Sequence, residues 1–287
     1  RIKYYLMKSN SLKNSRLIED LLLEFPSTQS QKSIAINLRR KQKKREFQAY
    51  CIGLPRSGTH SIAYALGGYY NSLHEPSARA TIELILKYQK GLISKTETKN
   101  ILFERDYNFN LELEASHYLH HLVTLMVELF PEAKYILTVR NPYRWLESEI
   151  NKNIKINTYF WGKIQDFRYG RYKFDFDQED QLLRAYKGVY PIKSYIQYWY
   201  DHLKQVLVEV PKDKLLIVKT EDLPKSWDQI ASYLEISPNS IDIKSGYANR
   251  RSNNLGVNLH SMVSREYLDN LVIHKKKDIE SMIQYEL

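Results

Sequence analysis

Tyr50-Cys51-Ile52-Gly53-Leu54-Pro55-Arg56-Ser57-Gly58-Thr59-His60 is a short apolar run that ends in a turn containing Gly and Ser. Ser61-Ile62-Ala63-Tyr64-Ala65-Leu66 follows and reads as the first turns of a helix. A strand feeding a turn whose backbone amides open a helix makes an anion site, because the free N–H groups and the helix dipole point the same way. The spacing Gly53-x4-Gly58 is that of a nucleotide-triphosphate loop. Thr59 and His60, however, stand where such a loop needs Lys and a magnesium-holding hydroxyl. The pattern predicts a phosphate cradle that works without a metal.

Working outward, a short strand is expected over 71–76, ending at Pro76, and a helix from about Ser77 to Lys90. Residues 91–110 are polar and show no clear pattern. Leu111 to Glu114 read as a brief strand, and Leu119, Leu122, Val123, Met126 and Phe130 recur at helical spacing until Pro131. The strand Tyr135-Ile136-Leu137-Thr138-Val139 ends at Arg140, and a helix carrying Trp145 and Ser148 follows. Between 151 and 190 regular periodicity is lost among Trp161, Phe167, Tyr169, Tyr172, Phe174 and other aromatics, which suits the wall of a ligand cleft. A helix from Ile192 to Val210, a strand from Lys214 to Lys219 and a helix from Pro224 to Leu234 come next. A loop over 238–262 and a last basic helix from Arg265 close the chain. Strands alternating with helices predict an α/β fold of three layers, a central parallel sheet with helices on both faces, in the manner of P-loop-like nucleotide-binding folds. Ligand then binds at the carboxyl ends of the strands, which brings Gly58 and Arg140 together.

The 287 residues suit a single domain over 47–287 preceded by a basic arm over 1–46, with a short helix around Leu17–Phe25. An apolar fraction of 43% supports a substantial core, and a net charge of +10 fits an anionic partner. The run Arg39-Arg40-Lys41-Gln42-Lys43-Lys44-Arg45 reads as a solvated face or linker, since no aromatics interleave with it as in a nucleic-acid site. The single cysteine, Cys51, lies inside the predicted first strand and reads as a buried small hydrophobe. That usage, with no membrane-length apolar run and no secretory signal, leads us to expect a cytoplasmic enzyme. The chain begins at Arg1, so a preceding segment or anchor stays open.

These motifs resemble those of the sulfotransferases that use 3′-phosphoadenosine-5′-phosphosulfate (PAPS). Pro55-Arg56-Ser57-Gly58-Thr59 matches the family's first signature. The strand ending at Arg140, followed by Asn141, Pro142 and Ser148, matches its second. Trp199-Tyr200-Asp201-His202-Leu203, the strand at Leu215 and Glu221-Asp222-Leu223 give a softer third match in the same order. The resemblance implies that the amides of Ser57, Gly58 and Thr59, with the hydroxyls of Ser57 and Thr59, hold the donor's 5′-phosphate, with His60 as a further donor. It implies Arg56 at the leaving group or sulfuryl oxygens, and Arg140 with Ser148 on the 3′-phosphate. Arg250 and Arg251 fall where cytosolic relatives close over that phosphate, and Tyr195 is expected to stack on adenine. The Trp found after the phosphate turn in relatives is Ser61 here.

Sulfuryl transfer also needs a base for the acceptor's proton. Ser116-His117-Tyr118 resembles the segment bearing a catalytic His in cytosolic members, although the Lys expected two places before it is Ala115. Glu75 lies at the end of the second strand, where carbohydrate and tyrosyl-protein sulfotransferases place a Glu. The two remain alternatives. His74, His120 and His121 lack metal-ligand spacing, and no metal is expected. The expected function is transfer of a sulfuryl group from PAPS, leaving 3′,5′-adenosine bisphosphate (PAP), to a hydroxyl or amine of a small molecule, such as a natural product. Neither nucleic acid nor membrane is an expected partner, and oligomeric state is open. The rivals are a nucleotide kinase of related fold and a non-catalytic nucleotide- or nucleic-acid-binding module.

Overall fold

The computed structural model describes residues 44–155, 159–247, 257–284 and 287. Its first elements are β1 (Ala49–Cys51), α1 (Thr59–Leu66), β2 (Ser72–His74), α2 (Ala78–Gln89), α3 (Lys95–Phe109) and β3 (Leu113–Ala115). Then come α4 (Val123–Leu129), β4 (Lys134–Val139), α5 (Pro142–Lys155), α6 (Tyr159–Arg168), α7 (Ile192–Glu209) and β5 (Leu215–Lys219). The last are α8 (Trp227–Leu234), α9 (Ile243–Tyr247), α10 (Leu259–Met262) and α11 (Arg265–Ile283). The expected N-terminal arm lies outside the described residues apart from 44–46.

The strands form one five-stranded sheet in the order β2-β3-β1-β4-β5, and every neighbouring pair is parallel. The sequence expectation of a parallel α/β fold holds. β1 sits in the middle between β3 and β4, so the loops leaving β1, β3 and β4 emerge side by side at one edge. Ala49, Cys51, Leu113, Ala115, Ile136 and Val218 pack with Ile62 and Leu66 of α1 and with Ile230 and Leu234 of α8. Tyr50 points to the opposite face, against Tyr135 and Phe130 at the end of α4. This alternation is the period-2 geometry of a strand covered on both sides. Burial pushes the Cys51 thiol up to about 12, so it is an inert packing group.

Residues Pro76–Asn110 separate as a compact unit from Arg45–Glu75 with Leu111–Leu287. Within it, α3 occupies the stretch in which no element was expected. Its start is a capping box: Glu97 N donates to Ser94 Oγ at 3.1 Å, and Ser94 N donates to Glu97 Oε2 at 2.9 Å. The Ser-x-x-Glu spacing is a legible start signal. The weak apolar stripe, essentially Ile101 and Leu102, hid the rest. The aromatic stretch likewise holds a regular element, α6, and the expected loop over 238–262 contains the short helices α9 and α10.

Gly53 is set by a close approach. A Cβ there would sit 1.8 Å from Thr138 Oγ1 and 2.7 Å from both Thr138 N and O. Rotating the Thr138 side chain cannot relieve the backbone clash, so Gly53→Ala should destabilise the chain by about 1–3 kcal/mol. The check is a chemical denaturation midpoint, with Gly68→Ala as control, because a Cβ at Gly68 meets nothing within 4 Å. Equal midpoints for the two variants would contradict the close packing of β1 and β4.

Candidate active site

The turn after β1 is built from left-handed residues and one inward hydroxyl. Arg56 has φ 63 and Gly58 φ 100, and Gly58 opens α1 with no side-chain cap and no acidic residue in the first turn. An uncapped helix start of this kind directs backbone donors and a positive dipole end outward. Ser57 is buried, and its hydroxyl donates to Leu54 O at 2.5 Å while lying 2.6 Å from Thr138 Oγ1. This differs from the expectation that the Ser57 hydroxyl faces a phosphate: the side chain instead pins the turn to β4. Thr220, just after β5, shares its proton between Ser57 O at 2.6 Å and Val139 O at 2.9 Å, a second pin that the motifs did not signal.

Arg140 leaves the end of β4 toward the same turn. Its Nη1 donates to Arg56 O at 2.8 Å, and Trp199 Nε1 donates to Arg140 O at 3.2 Å. Asn141 Oδ1 then accepts from Tyr143 N at 3.1 Å and starts α5. That helix places Ser148 so that its hydroxyl accepts from Arg56 Nε at 3.1 Å. Trp145 Nε1 donates to Pro55 O at 2.8 Å, a further tie between helix and turn. Arg56, Arg140 and Ser148, predicted from two separate motifs, therefore meet. Burial and the neighbouring Arg56 hold the Arg140 guanidinium below its ordinary value, the mark of a cation crowded by like charge.

The alternatives for the base turn out to be one unit. His117 Nδ1 and Glu75 Oε1 are in direct contact, and His74 Nε2 lies 3.7 Å from the same oxygen. Glu75 has φ 50, a left-handed conformation that non-glycine residues seldom adopt. Its side chain is 20% exposed against 3% for His117, so the carboxylate is the more accessible of the two. Burial would raise the Glu75 pKa, but His117, His74 and Lys152 outweigh it and hold the carboxyl below its usual range. Burial pushes His117 down to about 3, against the pull of Glu75 and with help from Arg168. The imidazole is therefore neutral, with Nδ1–H donated to the carboxylate.

Behind this pair is a buried layer. His120 stacks on His202 with ring centroids 3.6 Å apart, His120 Nδ1 lies 2.7 Å from His117 O, and His202 Nε2 lies 2.8 Å from Ile52 O. Arg168 is fully buried; no nitrogen of its guanidinium has a hydrogen-bond partner among the described residues. It lies over the rings of Tyr118 and Tyr198 at 5.0 and 5.6 Å.

A cleft of about 520 Å³ joins these parts. It is lined by Arg56, Gly58, Thr59, His60, Ser61, His74, Glu75, His117, Arg140, Lys152 and Thr220, with Pro55, Leu223 and Pro224. Volumes of this order suit nucleotide-sized ligands. Thr59 Oγ1 lies 3.3 Å from His74 Nε2, and His60 packs on Tyr64 and His74 with centroids 4.1 and 4.7 Å away. Tyr195 corrects the sequence expectation. It is fully buried in α7, accepting from Asn153 Nδ2 at 2.9 Å and packed 4.2 Å from the Tyr169 ring, and does not line the cleft. Its spacing of four from the buried Trp199, on the same face of α7, is the signal for that burial. Arg250 and Arg251 lie outside the described residues. Lys152 joins the cleft from α5 without any motif having pointed to it.

Acid sensitivity follows from these groups. Burial holds His117 and His202 near 3 and His120 and His121 well below the ordinary 6.5. Unfolded, these rings bind protons below about 6.5; folded, they refuse them until far lower. Their contribution is complete above that value and is lost as pH falls toward 3. The depressed Glu75 acts in the same direction. The thermal midpoint should drop steadily between pH 6.5 and 4; a flat midpoint there would show that the rings are already solvated.

Residues 48–242 match the family model described as "Sulfotransferase domain". A curated relative, "Ava biosynthesis cluster protein M" of Aspergillus versicolor, is 30% identical over 117 residues, 38% of this chain and 44% of that protein. The chain thus spans less than half the length of that relative. It is also similar to a solved sulfotransferase from Alicyclobacillus acidocaldarius, at 14% identity and TM-score 0.49, covering 84% of this chain and 97% of the other. A solved sulfotransferase domain from the Synechococcus PCC 7002 olefin synthase shows 15% identity and TM-score 0.46, covering 86% and 97%. The family match spans more than half of the sequence and takes in the turn, the strand ending at Arg140 and the Glu75–His117 pair: the chain belongs to the sulfotransferase-domain family.

Proposed function

We propose that the chain is a sulfotransferase that takes its sulfuryl group from PAPS and delivers it to a hydroxyl or amine of a small molecule. What carries this reading is that Arg56 and Arg140 line the cleft that also holds Glu75, beside the uncapped turn at Gly58, with Ser148 bonded to Arg56 Nε. The two cationic ends suit a ligand bearing two separated phosphates. The amides of Gly58, Thr59 and His60 would hold the 5′-phosphate, and a side chain at Gly58 would meet both its own positive φ and Leu223 Cδ2 at 3.2 Å. Arg140 and Ser148 would hold the 3′-phosphate, with Arg56 neutralising charge on the leaving oxygen. Adenine contacts are not assigned.

When bound, the donor supplies the sulfuryl group and a phosphate oxygen that keeps the electron pair of the broken S–O bond. Glu75 is the base. Both imidazoles engage its Oε1, which leaves Oε2 to take the acceptor's proton. Held below its usual range, it is ionised at any working pH and takes the proton as the acceptor atom becomes acidic on bonding to sulfur. His117 orients it through Nδ1–H and does not itself receive the proton. The acceptor is proposed to be a natural product; the name of the curated relative, a biosynthesis-cluster protein, supports that class.

Calorimetry with PAP and with ATP and magnesium tests the donor. Micromolar PAP binding without metal is expected; preference for ATP with magnesium would favour a kinase. Arg140→Ala should weaken PAP binding by about 1.5–3 kcal/mol, because a charged hydrogen-bond partner is lost. Once an acceptor is in hand, Glu75→Gln should slow turnover on the order of a hundredfold or more with PAP affinity kept. His117→Gln, which keeps a donor near Nδ1, should cost less. The reverse order would make His117 the base.

A further inference from the structure

Among the described residues, Lys152 is the one charged cleft residue for which neither the motifs nor the proposed chemistry supplies a task. It lies on α5 one turn beyond Ser148, so both face the same way. Its Nζ sits 4.4 Å from the centre of the Trp161 ring. Among the described residues the ammonium makes no hydrogen bond or ion pair, although Glu149 and Glu75 both act on it electrostatically. A cation that lines a cleft within the influence of two carboxylates, yet pairs with neither, keeps its three N–H groups available. The aromatic face offsets part of its desolvation without using those donors.

Its neighbours say for what. The electrostatic influences on Lys152 include Glu75, the proposed base, and Arg56, the proposed clamp on the leaving oxygen. In-line transfer requires the moving group to pass between the leaving oxygen and the acceptor atom beside the base. The phosphates already have partners in the turn, Arg140 and Ser148. We propose that Lys152 is a further catalytic residue, whose ammonium binds the non-bridging oxygens of the sulfuryl group as it crosses from donor to acceptor. The inference rests on the donor reading above. It concerns charge only: the S–O bond breaks and forms as described, and Lys152 keeps its protons.

The test needs no acceptor, because PAPS and PAP differ by the sulfuryl group alone. Affinities for both are measured by calorimetry on the full chain, for the wild type, Lys152→Met and Lys152→Arg. Lys152→Met should bind PAP within twofold of wild type, which also reports that it is folded. It should bind PAPS roughly tenfold or more weakly, and Lys152→Arg should recover most of that loss. Unchanged PAPS binding by Lys152→Met overturns the assignment, as does an equal loss for PAP and PAPS, which would place the lysine on the nucleotide or in the structure. A wild type that binds neither nucleotide overturns the donor reading itself, and this inference with it.

Discussion

Two hydroxyls 2.6 Å apart, Ser57 Oγ and Thr138 Oγ1, fasten the turn after β1 to the strand beside it. Gly53 makes that contact possible by letting the backbone of β1's exit loop lie against Thr138. Everything at the cleft is positioned relative to this junction. Arg140 follows Thr138 by two residues and so emerges next to the turn it must face, and its bond to Arg56 O closes the arrangement. Thr220 adds the third strand end. Three loops from β1, β4 and β5 are thus held at one edge through short polar contacts, of which the Ser57–Thr138 bond is buried and so hard to leave unmade.

The proposed base is held by a different principle. Glu75 sits in a left-handed conformation at the end of β2, gripped by His117 from the end of β3. The histidine in turn is braced from behind by the His120–His202 stack, which reaches Ile52 O beside the phosphate turn. A chain of contacts therefore runs from the base to the exit of β1. Burial keeps His120 and His202 neutral, so this bracing layer packs behind His117 without adding positive charge of its own. The cations that do reach the cleft, Arg56, Arg140 and Lys152, come from the turn, the β4 exit and α5. That division leaves a negative pole at Glu75 facing a positive wall, the polarity that the proposed transfer requires.

Much of this was readable from the chain. The anion turn is a local object: its glycines, the strand before it and the helix after it lie within a few residues, so spacing alone identifies it. Arg140 was readable for the same reason, as the residue that ends an apolar strand before Asn-Pro. The start of α3 was readable too, at Ser94 and Glu97, but its sparse apolar stripe concealed it. Tyr195 was misplaced because a motif offset was given more weight than the helical period it shares with Trp199. The direction of the Ser57 hydroxyl could not be read at all, since it depends on which strand lies beside β1.

By itself, then, the sequence determined the alternation of strands and helices, the Gly- and Ser-containing turn and the candidate residues, because each is encoded by neighbours in the chain. The parallel order β2-β3-β1-β4-β5 decided the rest. It brought Glu75 and His117 together from adjacent strand ends, so that the two candidates form one contacting pair. It buried Tyr195 and turned Lys152 into the cleft. Those outcomes arise from packing between segments far apart in the chain, and no local pattern records which distant side chain will be the neighbour.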